Sequence, residues 1–355
     1  MDLQPEASST DPLSSGLSQP HEIQTLQDLA ARGSWRTLVD KIALNRGLGS
    51  LSKPHEHLVY FAFNVLALIK LRRFSEAAAE LSSLDSLDSD TYRYESHPQH
   101  YGTLAGSMVP FALRFLQASL PQYLNNRADA LDRLYSLLAF VRGKIQRKGD
   151  NPEKGLVNDS VWRKRELFLI NSIIAVHLVN KEFGVCLQLI SDLLRLDQAD
   201  PDLLSKLGLI HLQIGDIDSA RKTFARVESL VNDSSEIKLR NLVNRNRALI
   251  YLVGKDYVSA VREYEECLQR DETDVVAVNN KGLCLMYLRD LSDAIKVMES
   301  SLERAPTVAL NETMVVNLCS MYELAYVNHS DVKKTLSNWI AQVAPDDFDA
   351  SCIRS

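Results

Sequence analysis

The sequence predicts an all-α protein, a right-handed superhelical solenoid of about six or seven helix pairs. Three observations carry that reading. Ile174, Gly208, Ala248 and Gly282 are each followed, twelve residues later, by Cys186, Ala220, Ala260 and Ala294. The anchors lie 34, 40 and 34 residues apart, the middle interval being one period plus six inserted residues. Apolar residues recur with helical spacing throughout, and no alternating strand pattern is bounded by turns on both sides. Finally, 45% hydrophobic content over 355 residues supplies a continuous core, and an array of stacked units has no fixed length.

A 34-residue period with small residues at two slots twelve apart is the tetratricopeptide signature. Its physical basis is packing. Two helices joined by a short turn approach closely only where side chains are small. A larger apolar residue four positions later fills the groove beside that contact. Four repeats follow, at 167–200, 201–234, 241–274 and 275–308. Phe224, Tyr264 and Met298 are the fillers after Ala220, Ala260 and Ala294. Gly215-Asp216 and Gly254-Lys255-Asp256 read as turns that stop one helix and cap the next.

Toward the amino end the signal weakens. Val65, Leu68, Phe74, Ala77 and Leu81 fit the template in 58–91, and Leu26, Leu29, Trp35, Leu38 and Ile42 fit it loosely in 19–52. Residues 108–147 form another helix pair that matches the slots poorly. Residues 21–147 are therefore degenerate pairs interrupted by a polar loop at 85–107, and 148–165 is a basic linker. At the carboxyl end Glu312, Val316 and Cys319 fall one period on, but Asn328 replaces the small residue. That makes 309–343 a closing pair, which arrays need to cover their last apolar face, and 344–355 a tail. Residues 1–20, with five Ser, three Pro and no Lys or Arg, read as a disordered leader.

Chemistry is sparse. Five cysteines show no CxxC spacing, which suits reduced thiols and no zinc site. The pairs His55/His57 and His97/His100 lack further ligands. His177 and His211 sit in equivalent slots and read as packing residues with one polar tip. No nucleophile motif and no phosphate loop is present. Neither a cofactor nor a metal is expected. A net charge of −6 argues against nucleic acid as a partner. The apolar runs are too short to span a bilayer, and no signal peptide is expected.

Two sets of residues are candidates for partner binding. The first is basic: Arg147, Lys148, Arg163, Lys164 and Arg165, within a stretch holding eight basic against three acidic residues. It reads as a solvated helix end or as a docking site for an acidic partner. The second is Arg245, Asn246 and Asn280 on first helices, the residue types with which some co-chaperones hold a chaperone's C-terminal carboxylate. Leu249, Leu310 and Met314 stand where that clamp needs polar or basic groups, so it is incomplete.

Several segments resemble one family more specifically. Gly106-Ser-Met-Val-Pro-Phe111, Leu120-Pro-Gln-Tyr-Leu124, Leu131-Asp-Arg-Leu134, Leu212-Gln-Ile-Gly-Asp-Ile217, Cys284-Leu-Met-Tyr-Leu288 and Asn317-Leu-Cys-Ser-Met-Tyr-Glu-Leu324 look like the subunit-12 family of the trafficking protein particle (TRAPP) complex. The resemblance covers roughly residues 20–350, with 92–134 the most discriminating part. It implies a non-catalytic scaffold subunit of a complex that tethers vesicles between endoplasmic reticulum and Golgi and activates Rab GTPases. The exchange chemistry would lie in other subunits, and the large scaffold subunits would be the partners. The implied location is cytoplasmic, peripheral at the intermediate compartment and Golgi, held on membranes through the complex without transmembrane insertion. The alternative is a co-chaperone adaptor for a chaperone C-terminal peptide.

Overall fold

A computed structural model describes residues 5–7, 21–48, 53–146, 152–196, 199–232 and 234–353. Among these residues the fold is all-α but for one two-stranded ribbon, and the longer helices follow one another in pairs. The chain divides into two compact units.

Unit 1 comprises residues up to Val176 together with Pro345–Asp347. Its pairs are α1 (His21–Ala31) with α2 (Trp35–Gly47) and α3 (Pro54–Lys70) with α4 (Phe74–Ser82). After a folded loop holding the single turn α5 (Pro98–Tyr101) come α6 (Phe111–Tyr123) and α7 (Arg127–Gln146), then α8 (Pro152–Val179). The last three residues of α8 group with unit 2. Unit 2 continues with α9 (Phe183–Leu196), α10 (Pro201–Ile214), α11 (Ile217–Val231), α12 (Ile237–Val253), α13 (Tyr257–Arg270), α14 (Val275–Tyr287) and α15 (Leu291–Arg304). The single turn α16 (Pro306–Ala309) precedes the closing pair α17 (Glu312–Ala325) and α18 (His329–Val343).

One register runs through seven pairs. The slot twelve residues after each anchor holds Leu38, Ala77, Ala130, Cys186, Ala220, Ala260 and Ala294, all with zero exposure. The slot four later holds Ile42, Leu81, Leu134, Ile190, Phe224, Tyr264 and Met298, all buried. The α6–α7 pair thus follows the template after all, through Ala118, Ala130 and Leu134. The closing pair departs from it. Val316 is exposed, whereas Val315 and Cys319 are buried. The extra turn α16 shifts the phase of α17 relative to the period.

The same register sets the turns. Seven residues after each anchor, the backbone enters the left-handed region at Gly33, Arg72, Asn125, Lys181, Gly215, Lys255 and Arg289. Gly215 ends α10 as expected, and the Asp216 carboxylate accepts the Ser219 N–H at 3.0 Å to cap α11. In the next repeat, however, Gly254 is right-handed helical and Lys255 takes the positive φ of 63°. The register, not the glycine, decides which residue turns. Lys255→Gly should therefore stabilise by about 0.5 kcal/mol, the relief of left-handed strain outweighing added chain entropy. Gly215→Ala should cost about 1 kcal/mol, by backbone strain alone, because no atom crowds its Cβ position. Denaturant midpoints of the two variants should move in opposite directions.

Two segments differ from expectation. Pro5–Ala7, inside the stretch read as a disordered leader, forms strand β1 antiparallel to β2 (Gly106–Pro110), with Glu6 opposite Ser107 and Ala7 opposite Gly106. An extended segment between loop and helix has backbone groups that no helix satisfies, and pairing supplies partners. The rest of the leader, 1–4 and 8–20, lies outside the described residues. The segment read as a basic linker is helical from Pro152. Trp162, Arg165, Glu166, Leu169, Ile170 and Ile173 are all buried at helical spacing. The two charged residues on that stripe hid its periodicity.

The 85–107 loop folds against unit 1. Leu87, Tyr94 and Tyr101 join a core built on Leu58, Val65 and Leu113. The Tyr94 and Tyr101 rings meet edge to face at 4.8 Å. The Tyr101 hydroxyl accepts the backbone N–H of His55 at 3.0 Å and lies 2.7 Å from its Nδ1. Arg114, nearly buried, donates to Asp88 at 2.8 Å, to the Leu87 carbonyl and to Ser107. Asp346 and Asp347, also in unit 1, accept from the Arg36 N–H and the Lys70 ammonium, each at 2.9 Å.

Burial pushes the His55 imidazole below its ordinary pKa of 6.5. The unfolded chain therefore binds a proton more readily than the folded one, and stability contributed here is lost as pH falls below 6.5. Proteolysis within 85–107 should accelerate on acidification from neutral pH toward 5. His55→Gln should flatten that dependence; an identical pH profile in the variant would place the response elsewhere.

Candidate protein-interaction surface

Unit 2 builds its surface from first helices α10, α12, α14 and α17, each followed by a second helix. Close approach is set by side-chain volume. A Cβ on Gly208 would lie 2.3 Å from the Phe224 ring, and one on Gly282 2.6 Å from Met298 Cε. Ala248, Ala260, Tyr264, Cys267, Ala277 and Cys284 form one buried cluster. Of the remaining register residues, Cys186 is buried in unit 2 and Ile174 in the unit 1 part of α8.

Polar residues link neighbouring repeats. Ser205 Oγ donates to Asn246 Oδ1 at 2.8 Å, and Asn317 to Asn279 Oδ1 at 2.8 Å. Asn280 donates to the Tyr264 hydroxyl at 3.2 Å. Asn241 donates to the Cys267 carbonyl and to Asp274, both at 3.2 Å. Asp274 also receives Arg245 at 3.2 Å and caps α14 through the Ala277 N–H at 3.1 Å. Arg270 donates to the side-chain oxygens of Asn241 and Asn244 at 3.0 and 3.1 Å. An open groove of about 610 Å³ lies beside this network, lined among others by Lys238, Arg245, Arg270 and the half-exposed Ile237 and Val276.

The structure places each of the clamp candidates differently. Asn246 is 3% exposed and sits in the α10–α12 contact. Arg245 is spent on Asp274, and Asn280 on Tyr264. The Asn246 amide nitrogen is buried without a hydrogen-bond partner, and Arg245 also lines the open groove.

The basic set is divided in the same way. Arg147 and Lys148 lie outside the described residues. Arg163 and Lys164 are exposed on α8. Arg165 is 7% exposed, its guanidinium over the rings of Trp162 at 4.5 Å and Phe111 at 5.0 Å. It packs α8 against α6 within unit 1. Arg142 of the same stretch donates to Glu166 at 2.7 Å.

The interior groups are poorly suited to covalent chemistry. Burial pushes the Cys267 thiol up to about 12 and the Cys284 thiol up to about 11, so both stay protonated. His177 Nδ1 lies 2.5 Å from Glu182, and His211 Nδ1 3.7 Å from Asp216, each joining a first helix to its following turn. Among the described residues no group of three or more His, Cys, Asp or Glu could hold a metal ion. Nor is any helix among them long and apolar enough to cross a membrane.

Sequence reading missed Asp274, the hub of the network. Its partners Asn241 and Arg245 stand 33 and 29 residues before it, so no local pattern exposes it. It also missed Ala118 and Ala130, although their twelve-residue spacing was visible.

Fold and surface together define a tetratricopeptide-type array of helix pairs whose polar first helices are knit from repeat to repeat. Comparison with known proteins narrows this. The chain is similar to trafficking protein particle complex subunit 12 from Mus musculus, 31% identical over 354 aligned residues, covering 93% of this chain and 44% of that protein. The Homo sapiens subunit 12 is 30% identical, with 93% and 48% covered. The chain thus spans less than half the length of these curated relatives. No family model matches it. Among solved structures, a tetratricopeptide repeat protein from Parabacteroides merdae aligns at 11% identity and TM-score 0.45 over 90% of this chain and 96% of that one. The Cut9 and Hcn1 hetero-tetramer aligns at 12% identity and TM-score 0.41 over 98% of this chain and 56% of that one.

Proposed function

We propose that this chain is a non-catalytic scaffold or adaptor subunit of a TRAPP vesicle-tethering complex, acting between endoplasmic reticulum and Golgi through protein–protein contact. The supporting observation is the similarity to subunit 12 across 93% of the chain. It includes the 92–134 region, whose residues build the loop, ribbon and α6–α7 pair of unit 1. The partners are other TRAPP subunits, the large scaffold subunits foremost. The chain reaches membranes peripherally, through the complex, and uses no cofactor. Nucleic acid is not a partner on this reading. The co-chaperone alternative is disfavoured because Arg245, Asn246 and Asn280 already have partners within the fold.

The test is affinity purification of the tagged chain followed by mass spectrometry. TRAPP subunits should be recovered at stable stoichiometry, the large ones included. Recovery of chaperones alone, lost on adding a free chaperone C-terminal peptide, would replace this reading with the adaptor one.

A further inference from the structure

The turn between α1 and α2 holds a short segment of the chain's own tail, Pro345–Asp347, all of it within unit 1. The Gly33 carbonyl accepts the Asp346 N–H at 3.0 Å. Gly33 has a φ of 70°, and a Cβ there would lie 2.5 Å from Pro345 Cβ, so the proline sits where only glycine leaves room. Ser34, the residue before α2, makes no side-chain cap. The Asp346 carboxylate takes that place and accepts the Arg36 N–H at 2.9 Å. The Arg36 guanidinium lies 3.7 Å from the same carboxylate. Lys70 donates to Asp347 at 2.9 Å. Trp35, 6% exposed, turns its indole N–H toward Asp347 but completes no hydrogen bond of normal geometry. Burial alone would raise the Asp347 carboxyl; Lys70 and Trp35 outweigh it and hold the group below the usual carboxylate range.

We propose that this turn is a recognition site for a Pro-Asp-Asp segment, that residues 345–347 close it in cis as a clasp, and that a partner protein's segment of the same chemistry takes it in trans when the clasp is released. The segment already seated there names the ligand. Each of its three residues meets a different feature: the glycine seat, the open end of α2 with the Gly33 carbonyl, and Lys70 with Trp35. A lone anion would meet Arg36 and Lys70 but would fill neither the proline seat nor the carbonyl. The clasp is built to exchange. Its ion pairs are exposed, the Arg36 and Lys70 side chains being 76% and 45% accessible, and such pairs hold weakly. What favours the cis segment is its tether, which acts as a high local concentration. The proposal stands apart from the TRAPP reading, because its probe carries this chain's own sequence.

The probe is a labelled peptide of residues 343–349. One control peptide replaces both aspartates with asparagine, and another replaces the proline with alanine. Fluorescence anisotropy with the full chain should show the double variant Asp346→Ala, Asp347→Ala binding the native peptide about tenfold or more tighter than wild type, because the tethered copy no longer competes. Both control peptides should bind it more weakly. Adding Lys70→Glu to the double variant should abolish binding. Adding Trp35→Phe, which keeps a ring and removes the N–H, should weaken it severalfold, with helical content by circular dichroism unchanged. Hydrogen exchange on wild type needs no variant: saturating native peptide should speed exchange at residues 344–347, and the asparagine peptide should not. Native peptide bound no better by the folded double variant than by wild type, or no better than the controls, would overturn the proposal. So would sedimentation showing a wild-type dimer that the double variant abolishes, since the seated segment would then come from a second copy.

Discussion

Ala260→Asp is expected to unfold the α12–α13 pair. Ala260 has zero exposure and belongs to the cluster of Ala248, Tyr264, Cys267, Ala277 and Cys284. None of the side chains of that cluster carries a cation or an N–H. The substitution combines overpacking with an unpaired buried charge, and should cost roughly 3–5 kcal/mol. In an array each repeat is held by its neighbours, so loss here removes support from both sides. Thermal unfolding by circular dichroism should show a large drop in midpoint, with Arg262→Asp, an exposed neighbour on the same helix, nearly unchanged. A wild-type midpoint in Ala260→Asp would mean that the register places this residue wrongly.

Asp274→Ala is expected to be the most damaging polar change. Asp274 has 8% exposure and serves three donors at once: Arg245, Asn241 and the Ala277 N–H that opens α14. Removing it strips a helix cap and leaves a guanidinium and a buried amide short of an acceptor. Breaking such a pair typically costs roughly 3 kcal/mol or more. Asp274→Asn keeps the cap and one acceptor but loses the charge, so it should fall between variant and wild type in urea denaturation. If the alanine and asparagine variants denature at the same urea concentration as wild type, the network holds nothing together.

Neither residue looks alike from the sequence. Ala260 was legible because it sits in a periodic slot, twelve residues after Ala248 and four before Tyr264. Asp274 looks like an ordinary residue before a helix, and only its cap role has a local signal. The same contrast separates the candidate binding residues. Arg163, Lys164 and Arg165 are indistinguishable as a basic run, yet two are exposed and the third lies under Trp162 and Phe111. Asn246 and Asn280 resemble surface asparagines until Ser205 and Tyr264 are brought to them.

What the sequence determined by itself was the all-α class, the pairing of helices, the 34-residue period and the slots where volume is limiting. These depend on helical periodicity and on spacings of twelve and 34 residues along the chain, which side-chain size and order record directly. The tertiary structure alone decided the rest. It shows Lys255 turning the chain beside an unused Gly254, and Arg165 and Glu166 completing a buried helical stripe. It also places Asp274 as the hub of a network. Each of these depends on which residues from separate helices meet in space, and burial and partnership at such distances leave no local trace in the chain.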